Sequence, residues 1–363
     1  MSKQWLTESA ASLAHAVRDG QVSSRELVEA HIERVEAVNP IINAMVADRF
    51  QLARQEAEAC DNAIREGAAD LSKPLFGVPC TIKECFAFPG MPNTSGLKAR
   101  VGYQPTEAAT GVQRIRAAGA IPLGVTNTSE LCMWMETNNR VYGRTNNPYN
   151  PAHIVGGSSG GEGAIIAAGG SPFGLGSDVG GSIRMPAFFN GVFGHKPTGT
   201  LVPGTGQFQN AEGDTLRYLA TGPLCRHAED LMPLLNLLAG PDGGDAGCID
   251  WPLGDPGTVD LKQVQVFNVT GNGKNRVSGD LQAAQSGVAD HLAAVAMSVD
   301  YLEIPELEKS FDLWSTMLGA AEPASKFRRD MQRDGVFSLL VQLLLWPVRA
   351  TPHTLPRTRA PPP

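Results

Sequence analysis

Apolar positions in the first 65 residues recur at helical spacing, which predicts helices across 7–65. Ser23-Ser24-Arg25-Glu26 has the form of a capping box, with Val28, Ile32 and Val35 following on one face. Asn39-Pro40 is expected to stop that helix, and residues 51–65, alternating alanine with charge, read as another. From Lys73 the pattern changes to short apolar runs between helical stretches. Runs at 76–82, 120–125 and 173–176 are expected strands of an α/β sheet with covered faces. In such a sheet the active loops fall at strand ends. Residues 240–256 are dominated by Gly, Asp and Pro and read as a loop or linker. After it come an expected strand at 264–269, a helix at 281–297, a strand at 299–304 and a helix at 311–346.

Composition narrows the class. A chain of 363 residues allows one large domain or two smaller ones. Hydrophobic residues make up 42% and charged residues only 18%, which indicates a globular protein with a sizeable core. The formal charge of −7 argues against nucleic acid as the main partner, since phosphate binding needs clustered Lys and Arg. Cys60, Cys80, Cys85, Cys132, Cys225 and Cys248 form no Cys-x-x-Cys pair. That argues against structural zinc and against a disulfide framework, and fits a reducing cytoplasm. No stretch reads as a signal peptide, and no apolar run reaches the roughly 18 residues of a membrane span.

The chemistry concentrates in residues 155–197. Two serine-bearing glycine loops, 156–163 and 176–182, flank an Ala-rich segment at 164–170 that reads as a tightly packed buried helix. A run such as Val179-Gly180-Gly181-Ser182 can aim successive amides into one concavity and hold an anion or the oxyanion of acyl transfer. Ser182, beside that nest, is placed to attack the carbonyl whose oxygen it holds. A plain loop has the same composition, so the pattern alone leaves both readings open. The Walker pattern is absent, and no spaced Gly-x-Gly-x-x-Gly follows a strand, so nucleotide binding is set aside. A serine nucleophile needs a base. His153 and His195 flank the stretch and keep Ser-His-Asp open, although the Gly-x-Ser-x-Gly elbow is missing. Lys83 ends the apolar run 74–82. Burial would disfavour its charged form and make it a neutral base, whereas a strand-end lysine with its amine in water would be inert.

Lys83, Ser158 and Ser182, in that order and in those contexts, resemble the amidase signature family. Segments 156–163 and 174–186 match its signature almost residue for residue. The likeness is greatest to fatty-acid amide hydrolases of the second vertebrate type and their microbial relatives. Stretches 90–97, 126–134 and 183–197 support it, and it covers about residues 6–345, most strongly 74–240. The resemblance implies a mixed β-sheet core with helices on both faces, no cofactor and no metal. It implies a Ser-Ser-Lys triad: Ser182 as nucleophile, Ser158 bridging through a cis peptide to Gly157, and Lys83 as base. The amides of Val179, Gly180, Gly181 and Ser182 would form the oxyanion hole. Ser159, Asp178 and Arg184 would support the loop, and Cys132 and Met133 would touch substrate.

The expected organisation is an N-terminal helical segment at 1–72, a signature core at 73–240, a further part of the amidase domain at 241–346, and a Pro/Arg-rich tail at 347–363 without order. The family pattern continues past Pro356, where this chain turns to Arg and Pro, so it reads as truncated or frame-shifted there. The implied reaction is hydrolysis of a small-molecule amide, with fatty-acid amides favoured. A glutamine-hydrolysing subunit of a tRNA-dependent amidotransferase, with partner subunits, and an inactive remnant are the alternatives. The apolar run 337–346 resembles a membrane-facing cap and keeps peripheral membrane contact open, as the N-terminal helices do a homodimer.

Overall fold

Side-chain caps set the N-terminal helices. In a computed structural model, which describes residues 2–209 and 217–321, the Ser9 hydroxyl caps α1 (Ala10–Arg18) by accepting from the Ser12 amide. α2 (Ser24–Ile42) opens on the expected capping box. The Glu26 amide donates to Ser23 Oγ at 3.1 Å, and the Ser23 amide donates to Glu26 Oε2 at 3.0 Å. Pro40 does not end α2 where the sequence suggests; it lies in the last turn. The stop comes from Asn39. Its Oδ1 accepts from the Ala44 and Met45 amides, both at 2.8 Å, and turns the chain into β1 (Met45–Asp48). α3 (Phe50–Arg65) follows, as expected.

Next come β2 (Pro79–Lys83), α4 (Thr110–Ala117) and β3 (Ile121–Thr126), then a small antiparallel ladder of β4 (Asn138–Asn139) and β5 (Gly143–Arg144). α5 (Gly160–Ala167), β6 (Phe173–Asp178), α6 (Arg184–Asn190), β7 (Phe193–Gly194), β8 (Ala220–Cys225) and α7 (Leu231–Leu238) complete the set up to Leu253. Six of these strands form one mixed sheet in the order β1-β3-β2-β6-β8-β7. Its centre, β3-β2-β6, is parallel and its flanks are antiparallel. β2 begins at Pro79 rather than Phe76, because residues 76–78 are used in turn hydrogen bonds to 73, 75 and 119.

Strand alternation then decides what faces what. Cys80, Ile82, Phe173 and Leu175 enter one apolar cluster with Leu13, Ile115 and Leu234 from α1, α4 and α7. Ile121, Leu123 and Leu224 enter the other, with Ile32, Ala53 and Ile165 from α2, α3 and α5. Helices therefore cover both faces of an α/β sheet. Thr81 and Lys83 alternate with Cys80 and Ile82, which turns them to the α5 side. There α5 approaches so closely that a Cβ on Gly161 would lie 2.5 Å from the Asn127 amide nitrogen.

One compact unit ends at Leu253 and a second begins at Gly254. Within the second, β9 (Gln265–Asn268) and β10 (Ser298–Tyr301) pair in parallel around α8 (Gly279–Ala293), close to the expected strand, helix and strand, and α9 (Ser310–Ala321) follows. The rest of the helix expected at 311–346, including the run 337–346, and the tail 347–363 lie outside the described residues. Among the described residues no helix is long and apolar enough to cross a membrane.

Glu162 joins α5 to the sheet through two threonine hydroxyls. Thr81 Oγ1 donates to its Oε2 at 2.6 Å from β2, and Thr126 Oγ1 to its Oε1 at 2.8 Å from β3. Burial pushes its carboxyl from 4.5 up to about 7, against the lowering effect of those two bonds and of Lys83. A carboxyl raised in the folded state stabilises the fold fully below pH 4.5 and loses that contribution as pH rises through about 7. Glu162→Gln removes this dependence. The unfolding free energy of the variant minus that of the unsubstituted chain should grow by about 3 kcal/mol between those two pH values in denaturant titrations. Gly161→Ala tests the helix approach. Alanine is the better helix former by about 1 kcal/mol, but the backbone contact makes overpacking, about 1–3 kcal/mol, the larger effect. The variant should unfold at lower denaturant than the unsubstituted chain.

Candidate active site

The last residue of β2 is a lysine with no exposed surface. Cross-strand register sets Lys83 opposite Thr126 of β3. Lys83 Nζ lies 2.7 Å from Ser158 Oγ and 3.1 Å from Ser177 Oγ. Burial of an amine is costly unless polar atoms meet it, and these two hydroxyls do so. Ser158 is 1% exposed and follows a cis peptide from Gly157, as the resemblance implied. Lys83 is thus a sheet residue in the interior, and the reading of a lysine with its amine in water is set aside.

The two glycine loops are tied to each other and to β6. The Ser159 amide donates to the Ser182 carbonyl at 3.1 Å, and Ser159 Oγ donates to the Ser177 carbonyl at 3.3 Å. Asp178, the last residue of β6, shapes the second loop. It accepts from the Gly181 amide at 2.7 Å and the Ile183 amide at 3.0 Å, and from the Arg184 guanidinium at 3.0 Å through both Nε and Nη2. Burial raises the Asp178 carboxyl, but Arg184 and the two amides outweigh it and hold it below its ordinary value. Gly181 takes a φ of +125°, which a side chain rarely adopts, and its amide is spent on Asp178. The amides of Val179, Gly180 and Ser182 donate to no backbone group among the described residues.

Lys83, Ser158, Ser159, Asp178 and Arg184 therefore stand in one connected set. Ser182 adjoins it through its backbone, while its partly exposed hydroxyl makes no hydrogen bond among the described residues. Neither His153 nor His195 bonds a serine of this set through its ring there, so the geometry gives the Ser-His-Asp alternative no support. Cys132 and Met133 part company. Cys132 Sγ lies 3.3 Å from Thr128 Oγ1, whereas Met133 is 48% exposed.

Sequence reasoning passed over Ser177, Cys85, Glu84 and Glu162. Cys85 comes two residues after Lys83, and its Sγ lies 3.9 Å from Ser177 Oγ. Glu84 is fully buried and accepts from the Thr94 amide at 2.5 Å, the Ser95 amide at 2.7 Å and the Tyr142 hydroxyl at 2.8 Å. It pins the loop after β2 to the β4–β5 ladder. A signal existed: Glu84 is a charged residue beside Lys83 in an otherwise apolar run. Among the described residues no cluster of His, Cys, Asp and Glu could hold a metal ion.

The model of the family described as Amidase matches residues 26–351. Fatty-acid amide hydrolase 2-A of Danio rerio is 46% identical over 341 residues, 90% of this chain and 63% of that protein. Fatty-acid amide hydrolase 2 of Homo sapiens is 45% identical over 318 residues, 85% of this chain and 58% of its own. The chain thus spans about three fifths of the length of these relatives. The crystal structure of a bacterial aryl acylamidase of the amidase signature enzymes superposes with a TM-score of 0.80 at 27% identity, covering 95% of this chain and 73% of that one. On the family match across most of its length, the buried lysine–serine contact and the shared fold, this chain belongs to the amidase signature family.

Proposed function

We propose that this chain hydrolyses a carboxylic amide through an acyl-enzyme on Ser182. The observation that carries the reading is the buried contact of 2.7 Å between Lys83 Nζ and Ser158 Oγ. A lysine amine in its neutral form, enclosed with a serine hydroxyl, is a base with one proton to take. Lys83 takes the proton of Ser158 as Ser158 takes that of Ser182, and Ser182 Oγ attacks the amide carbonyl. The amides of Val179, Gly180 and Ser182, which have no backbone partner among the described residues, receive the oxyanion, and Asp178 holds the Gly181 amide that shapes their loop. The proton returns through Ser158 to the departing amine, and water then cleaves the acyl-enzyme. Arg184 and Ser159 act by holding the loop. Cys132 meets the bound substrate. Fatty-acid amides are the favoured substrates, because the relatives at 45% and 46% identity carry that name.

A fluorophosphonate probe tests the nucleophile. Mass spectrometry should place the adduct on Ser182 and find none in Ser182→Ala; labelling elsewhere, or none on folded protein, sinks the reading. Lys83→Ala should lower kcat on a long-chain fatty-acid amide by about a hundredfold to ten-thousandfold, the usual range for loss of a general base. Full turnover by that variant would remove Lys83 from the mechanism.

A further inference from the structure

We infer that Glu162 is a positioning residue for the reaction proposed above: its carboxyl clamps α5 to the three parallel strands and thereby sets the Lys83–Ser158 contact. The effect on turnover rests on the amidase reading; the clamp itself is measurable without it. Glu162 has no exposed surface, and neither have Thr81 and Thr126. Its two oxygens are taken by different strands. Oε2 accepts from Thr81 Oγ1 of β2 at 2.6 Å, and Oε1 accepts from Thr126 Oγ1 of β3 at 2.8 Å. The third parallel strand makes room for the carboxyl. Gly174 of β6 pairs with Thr81, and a Cβ on it would overlap Glu162 Oε2. One side chain of α5 thus meets all three strands of the parallel centre.

These attachments lie next to the reacting groups. Thr81 comes two residues before Lys83 on β2, and Thr126 is the register partner of Lys83 on β3. Ser158 comes four residues before Glu162, just ahead of α5. Glu162 therefore joins the strands that hold the amine to the helix entry that holds the hydroxyl. Ala164, Ile165 and Ile166 bury α5 in its apolar cluster, but apolar packing is non-directional and leaves the helix able to slide. Hydrogen bonds to two strands are directional and fix α5 both along β2 and across to β3. Loss of either hydroxyl leaves a buried carboxyl oxygen without its donor. A shift of α5 relieves that cost and carries Ser158 away from Lys83. A misplacement of about 1 Å is enough to slow a reaction by about a hundredfold. Among the described residues Glu162 bonds the two threonines and neither Ser158 nor Ser182, so it acts by position rather than as an acid or base.

Thr81→Val and Thr126→Val each remove one donor at nearly the same shape, while Thr81→Ser and Thr126→Ser keep it. The valine variants should lower kcat on a long-chain fatty-acid amide by about tenfold to a hundredfold with KM within about twofold, and the serine variants should stay within about threefold in both. Either valine variant suffices should the other not fold. Action through Lys83 also requires non-additivity. In a Lys83→Ala chain, adding Thr126→Val should leave the rate of fluorophosphonate labelling at Ser182 unchanged, and an equal loss in both backgrounds overturns the inference. Crystal structures of the unsubstituted chain and of Thr126→Val decide the clamp without any activity. The Lys83 Nζ–Ser158 Oγ separation should lengthen from 2.7 Å to beyond about 3.5 Å; an unchanged separation overturns the inference even if turnover falls. If the unsubstituted chain turns over no amide and Ser182 takes no probe, the amidase reading fails, and the two structures still decide the clamp.

Discussion

An amine with no access to water, held 2.7 Å from one hydroxyl and 3.1 Å from another, governs the architecture around it. Such a group is tolerated in an interior only when its polar neighbours arrive with it. Ser158 comes from the loop before α5 and Ser177 from β6, so Lys83 of β2 couples a helix entry to a neighbouring strand. Parallel pairing of β2 with β6 is what brings these segments side by side. The central strands could therefore not slip by one residue without sending Lys83 to the apolar cluster on the opposite face.

The loops carry a second constraint. Ser182 adjoins the buried pair in a loop that Asp178 orders. Asp178 takes up the Gly181 and Ile183 amides and the Arg184 fork, and among the described residues the amides of Val179, Gly180 and Ser182 have no backbone partner. The charge of Arg184 is 54% exposed, so its attraction is screened. Order in this loop comes mainly from the amides closed onto a buried carboxylate, and the Ser159–Ser182 bond fixes it against the first loop.

How far the sequence could be read follows from which features are local. The capping box at Ser23 and the three central strands depend on near neighbours, and the structure has them within a few residues of their expected places. The end of α2 was misplaced because its stop is a side chain, Asn39, reaching over to 44 and 45 rather than the proline beside it. The glycine and serine motifs pointed to the site, but burial of Lys83 was undecidable from spacing, since a strand-end lysine is ordinarily wet. Ser177, Cys85 and Glu162 escaped notice for the same reason. Their partners lie on other strands, and only the register of the sheet reveals them.

Two buried carboxylates flank this centre, and among the described residues neither hydrogen-bonds a cation. Glu84 accepts from amides and hydroxyls of the following loop, and Glu162 from two threonine hydroxyls. Neutral donors suffice to satisfy a carboxyl in the interior, but they stabilise its charge less than a guanidinium does. Burial therefore wins, and both groups are raised. Lys83 lowers the Glu162 carboxyl, but not enough to overcome its burial. Asp178, by contrast, is held below its ordinary value by Arg184 and two amides, and organises the second glycine loop. Burial raises one acid beside Lys83, hydrogen bonds lower another beneath the loop of Ser182, and the difference between them is the identity of their hydrogen-bond donors.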